Sequence, residues 1–133
     1  MTHPASAQPM TILVAHENAG ARSWIALALR GLGDVRQFDS GEDVERLALS
    51  EQPPSLAVVS ATLPGKTGMQ VLAAVRAAGK MMPLVIVSDF SAGHVLALVS
   101  ELQGTRVARR VLGRHGFRLL ALRLLGQPAG PPP

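Results

Sequence analysis

The sequence contains no cysteine and no tyrosine, and aromatic residues make up only 3% of it. The missing thiols exclude a disulfide framework, a thiolate zinc site and cysteine catalysis. Four aromatics, Trp24, Phe38, Phe90 and Phe117, are too few for a stacking platform for single-stranded nucleic acid. No apolar run approaches the roughly 20 residues of a membrane-spanning helix. The start, MTHPASAQPM, has no basic segment followed by an apolar one, unlike a secretory signal. Charged residues are scarce, at 17%, against 47% hydrophobic ones, which excludes disorder over most of the 133 residues. A soluble, cytoplasmic domain with a real core is the expectation.

Acidic residues are absent after Glu101. Residues 1–102 carry seven Lys or Arg and nine Asp or Glu; residues 103–133 carry six Arg and no acid. The basic C-terminal quarter suits an acidic protein surface or nucleic acid. Eleven Arg against two Lys, amid much Ala, Gly and Leu, also fits a purely compositional origin.

Residues 1–9 show no period and read as a frayed arm; GQPAGPPP, residues 126–133, reads as an extended flexible tail. The domain is expected over 10–125. Within it the pattern alternates. TILVA (11–15), LAVVS (56–60) and PLVIVS (83–88) are short continuous apolar runs, and VRQF (35–38) alternates with period two. Helical spacing follows each: Trp24 and Leu27 before Gly31; Val44, Leu47 and Ala48 after Ser40, with Asp43 placed as in a capping box; Val71, Leu72 and Val75 after Gly68. Residues 92–102 read as a fourth helix through Val95, Leu98, Val99 and Leu102; 105–111 read as a weak fifth strand, and 113–125 as the last helix. Continuous apolar strands imply a sheet covered on both faces. The expected fold is α/β, a doubly wound five-stranded parallel sheet. Ligands in such sheets sit at the carboxyl ends of the strands, which selects His16, Glu17, Ser60, Ser88, Asp89 and Arg109 or Arg110.

Three segments resemble the receiver domain of two-component response regulators, the single-domain chemotaxis type included. ILVAHEN (12–18) stands where the family has an apolar strand ending in two acids. PSLAVVSATLPGKTG (54–68) matches strand, Asp, three residues, Pro-Gly, two residues, Gly, and PLVIVSD (83–89) matches the strand ending in Ser or Thr. The resemblance spans about residues 11–125 and implies a flavodoxin-like strand order, 2-1-3-4-5. It further implies a site where a carboxylate accepts a phosphoryl group beside magnesium, a Lys and a switch hydroxyl. This chain departs at those positions. Ser60 replaces the acceptor Asp, His16-Glu17 replaces the acid pair, Arg110 falls near the Lys, and Val107 replaces the switch aromatic; Ser88 keeps the switch hydroxyl and Asp89 adds a charge that repels phosphate. The resemblance therefore implies a bacterial pseudo-receiver, a stand-alone signalling module with no cofactor and no metal, working by protein contacts and not as an enzyme.

The same residues bear on other chemistries. His16, Glu17 and Asp89 are acceptable transition-metal ligands, but nothing shows a second shell. Ser60–Thr67 nearly matches the phosphate loop G-x-x-x-x-G-K-[ST], giving a nucleotide or phosphate switch as an alternative; Ser60 replaces the first Gly, and Pro64 removes an N–H. A Ser60/His16 nucleophile pair lacks the Gly-x-Ser-x-Gly elbow. A small basic nucleic-acid-binding protein is a further alternative, against which no reader motif is present.

In GRHGFRLLALRLLG (113–126), Phe117, Leu120 and Leu124 share one face, while Leu119 and Leu122 point elsewhere. The expected working surface is Val95, Leu98, Arg106, Arg114, Arg118, Leu119, Leu122 and Arg123. A homodimer through the fourth helix, fifth strand and last helix is the expected assembly, and a protein in a signalling pathway the expected partner.

Overall fold

The computed structural model describes residues 10–91, 93–100 and 107–126. The arm expected over 1–9, the tail over 127–133 and Arg106 lie outside the described residues. Ten elements follow one another: β1 (Thr11–Ala15), α1 (Ala19–Ala28), β2 (Asp34–Phe38), α2 (Gly41–Ala48), β3 (Leu56–Ser60), α3 (Gly68–Ala77), β4 (Leu84–Ser91), β5 (His94–Ser100), β6 (Val107–Gly113) and α4 (Arg114–Leu124). The strands form one sheet in the order β2-β1-β3-β4-β5-β6. β2, β1, β3 and β4 are mutually parallel, whereas β5 runs antiparallel to β4 and to β6.

The apolar runs are continuous because both faces of the inner strands are dry. Ile12, Val14, Leu56, Val58, Val85 and Val87 face α1 and α4 and pack on Ile25, Leu29, Phe117 and Ala121. Their alternates Leu13, Ala15, Ala57, Val59, Leu84 and Ile86 face α2 and α3 and pack on Val44, Ala48, Val71 and Val75. Side-chain alternation along a strand divides one apolar run between two cores.

Each of the first three helices begins with a side-chain cap that satisfies an orphan N–H. Asn18 Oδ1 accepts from Ala21 N at 2.8 Å, and Ser40 Oγ from Asp43 N at 3.4 Å. Thr67 and Gln70 exchange bonds in a full capping box. On the last helix, Phe117 and Leu120 are buried and Leu124 packs on the same core, as the periodicity predicts. Arg118 ties it to the end of α1, donating to Ala28 O at 3.2 Å and Arg30 O at 2.6 Å.

The expectation of a helix over 92–102 is corrected: residues 94–100 are a strand. Gly93, at φ +83°, turns the chain straight back on itself, so that Ser91 pairs with His94. Val95, Ala97 and Val99 then point together into the sheet interior, with exposures of 1%, 0% and 5%. Short apolar runs fit a buried strand and a helix equally, and Val at both ends favours the strand. The sheet thus has six strands, and its outer third is an antiparallel hairpin.

One close approach locks the site side of the sheet. Gly41, the first residue of α2, lies so near Lys66 O that a Cβ would overlap that backbone atom. Gly41→Ala is expected to destabilise the protein by about 1–3 kcal/mol through overpacking, read as a lower denaturant midpoint at unchanged slope.

Candidate functional site

The carboxyl ends of β1, β3 and β4 meet beside the start of α1 and enclose a cleft of about 240 Å³. His16, Glu17, Asn18, Ser60, Thr62, Ser88, Asp89 and Phe90 supply its polar and aromatic lining. Sheet order explains the gathering: β1 and β3 are adjacent inner strands and β4 is next, so residues just past their ends share one edge.

The hydroxyls form a chain. Thr62 donates its O–H to Glu17 Oε2. Ser60 Oγ lies 3.2 Å from Thr62 Oγ1 and accepts from Thr62 N at 3.1 Å. Ser60, Thr62 and Glu17 thus form one hydroxyl–carboxylate relay, with both hydroxyls bonded toward the carboxylate. Burial of Glu17 favours its neutral form, but the bonds from Thr62 and Ser60 and the nearby His16 outweigh it and hold the carboxyl below its ordinary range.

His16 is only 8% exposed. Its Nδ1 accepts from Asn18 N at 3.0 Å, which assigns the proton of the neutral ring to Nε2. Desolvation lowers its pKa, and Arg22 adds to the effect against the opposing pull of Glu17. Arg22 also donates to His16 O at 2.8 Å.

Five of the predicted pocket residues, His16, Glu17, Ser60, Ser88 and Asp89, line one cleft. Arg110 does not, and its assignment to the pocket is corrected. It lies on β6, and β5 stands between β6 and β4, a displacement of one strand spacing, about 4.8 Å. Among the described residues, no Lys or Arg lines the cleft. Lys66, the residue on which a nucleotide loop depends, instead pairs with Glu45 Oε1 at 2.6 Å. Ser60 is bonded to Thr62 and not to His16, so the nucleophile pair does not form. Among the described residues no three His, Asp or Glu side chains are grouped to hold a metal.

Of the predicted surface residues, Val95 is corrected to a core residue at 1% exposure. Leu98 and Leu122 are half-buried, and Arg118 is spent on the α1 carbonyls. Leu119, Arg114 and Arg123 are exposed on α4, and Leu119 keeps 52% of its surface. Sequence reasoning missed Asn18, Thr62 and Phe90 in the cleft. Asn before a helical run was a legible cap signal for the first. Phe90 enters because β4 continues past Ser88 through a bulge between Val87 and Asp89, and its ring stacks edge-on against Trp24 at 5.4 Å.

No family model matches this chain, and no curated protein matches it. Solved structures do. The signal receiver domain of NarL from Mycobacterium tuberculosis matches with a TM-score of 0.54 and 24% identity, over 65% of this chain and 71% of that one. The receiver domain of a histidine kinase from Arabidopsis thaliana matches with a TM-score of 0.53 and 22% identity, over 63% and 68%. A response regulator receiver protein from Pseudomonas putida matches with a TM-score of 0.52 and 21% identity, over 65% and 73%. At these identities the likeness shows the fold, which is that of receiver domains.

The two lowered pKa values set a pH dependence. His16 titrates in the folded state below its ordinary 6.5, so the unfolded chain binds more protons below that pH and stability falls on acidification. Glu17 adds to the loss below its ordinary 4.5. The melting temperature is expected to drop between about pH 7.5 and about pH 5.5, with a visibly shallower slope in His16→Gln. Equal slopes in the two proteins would remove His16 as the source.

Proposed function

We propose that this chain is a degenerate receiver domain, a phosphorylation-independent signalling module of a response-regulator-like system that acts through protein contacts and catalyses no reaction. The observation that carries the reading is Ser60. It ends β3 at the position matching the acceptor Asp and is 2% exposed. Its hydroxyl is held in the relay to Glu17, and an alcohol there cannot form an acyl phosphate. The lining supports the same reading: Glu17 and Asp89 bring negative charge to the cleft, and among the described residues no cation lines it to neutralise an incoming phosphoryl group. The cytoplasm is the compartment this function requires.

Incubation with acetyl phosphate and magnesium is expected to leave the intact mass unchanged. Ser60→Asp alone is expected to remain unmodified, because His16 still replaces an acid and the Lys position stays empty. A stoichiometric phosphoryl adduct on the wild type would overturn the reading.

For assembly, we propose a two-fold homodimer through α4, centred on Leu119. Covering a half-exposed leucine from each protomer contributes about 1 kcal/mol per side, and two-fold pairing is the commonest closed arrangement. Sedimentation is expected to show a dimer that Leu119→Glu converts to monomer. A wild type that stays monomeric at high micromolar concentration would remove the dimer and leave the phosphorylation result untouched.

A further inference from the structure

Among the described residues, the sheet face that carries α2 and α3 is covered only in part. Those helices cover β1, β3 and β4, while α4 packs on the opposite face over Val95 and Ala97. The outer side of the β5–β6 hairpin therefore bears no described helix. Paired positions in an antiparallel ladder project to the same side, so Leu96 with Val111, and Leu98 with Arg109, lie together on this bare face. Leu98 closes the edge of the α3-side core. Val111 is 70% exposed, whereas Val85, Val87 and Val95 on neighbouring strands are each 1% exposed.

We propose that this hairpin face is a docking site for an acidic amphipathic helix of a partner protein. The inference rests on the reading of the chain as a protein-contact module and names the chemistry of the contact. Width fits first: two strands span about 10 Å, the diameter of one helix. The added helix would continue the α2–α3 layer as a third member. Charge then selects the occupant. Arg109 flanks the apolar strip on this face and is exposed, whereas Arg110, also exposed, pairs with Ala97 and projects to the α4 side. Neither has an acidic partner among the described residues. No described residue beyond Asp89 is acidic. A second copy of this face would oppose Arg to Arg, which destabilises a cross-strand or face-to-face pairing. A nucleic acid would find one Arg on the face and an apolar centre of Leu96, Leu98 and Val111, where a phosphate backbone needs cations. A helix with leucines at i, i+3, i+4 and i+7 and glutamates beside them answers both features.

The test uses the full chain and two synthetic peptides: an amphipathic helix with that leucine spacing and flanking glutamates, and the same peptide with lysine for each glutamate. Titration followed by amide shifts is expected to perturb β5 and β6, with the glutamate peptide binding at least tenfold more tightly. Val111→Ser and Arg109→Glu are each expected to weaken it at least tenfold at an unchanged melting temperature, since both side chains are exposed. Failure of the glutamate peptide to bind, shifts confined to other elements, or indifference to both substitutions would overturn the proposal. Duplex DNA that binds and displaces the peptide through Arg109 without regard to Val111 would overturn it in favour of nucleic acid. None of these outcomes bears on the intact mass after acetyl phosphate, so the docking site and the phosphorylation reading fail separately.

Discussion

Everything in this molecule depends on the dryness of both faces of β1, β3 and β4. Three short apolar runs are divided by side-chain alternation into two cores, one under α1 and α4 and one under α2 and α3. Burial of that kind leaves no room for polar groups inside the strands. Polar chemistry is pushed to the carboxyl-terminal residues of the strands and the first residues beyond them, and parallel strands deliver those residues to one edge. His16, Glu17, Ser60, Ser88 and Asp89 meet for this reason, although they are scattered over the sequence.

At that edge the bonding is self-sufficient. Here Glu17 is satisfied by Thr62, Ser60 by Thr62, and His16 Nδ1 by the Asn18 N–H. Lys66, the nearest lysine in sequence to Ser60, is held by Glu45 on α2. Groups already paired in this way must give up hydrogen bonds before they can turn to a ligand, which costs free energy.

The inner strands, the cap at Ser40 and the buried stripe of α4 were legible because each rests on local chemistry: apolar continuity, a hydroxyl before a helical run, helical spacing of Phe117, Leu120 and Leu124. The segment His94–Ser100 was not, because HVLALVS satisfies both periods and only the tertiary pairing with Val85–Ser91 decides. That single ambiguity propagated. It hid the sixth strand, placed Val95 on the surface, and brought Arg110 one strand too close to the cleft. The bulge beside Ser88 was equally invisible, since it arises from register against β5 and not from any residue of β4 itself.

The same exchange of helix for strand alters how the cleft and the surface communicate. In the arrangement the sequence resemblance implies, the strand bearing Arg110 lies directly beside β4, and a change at Ser88 reaches it through one ladder. With β5 inserted, β6 contacts β4 only through an intervening antiparallel strand whose inner residues Val95, Ala97 and Val99 are fully packed. Packed cores shift between discrete arrangements and do not deform by degrees. A small displacement at the cleft is therefore absorbed at β5 unless the whole hairpin moves. The six-strand order is thus consistent with the proposed reading: where the cleft throws no phosphoryl switch, nothing requires the outer face to sense it.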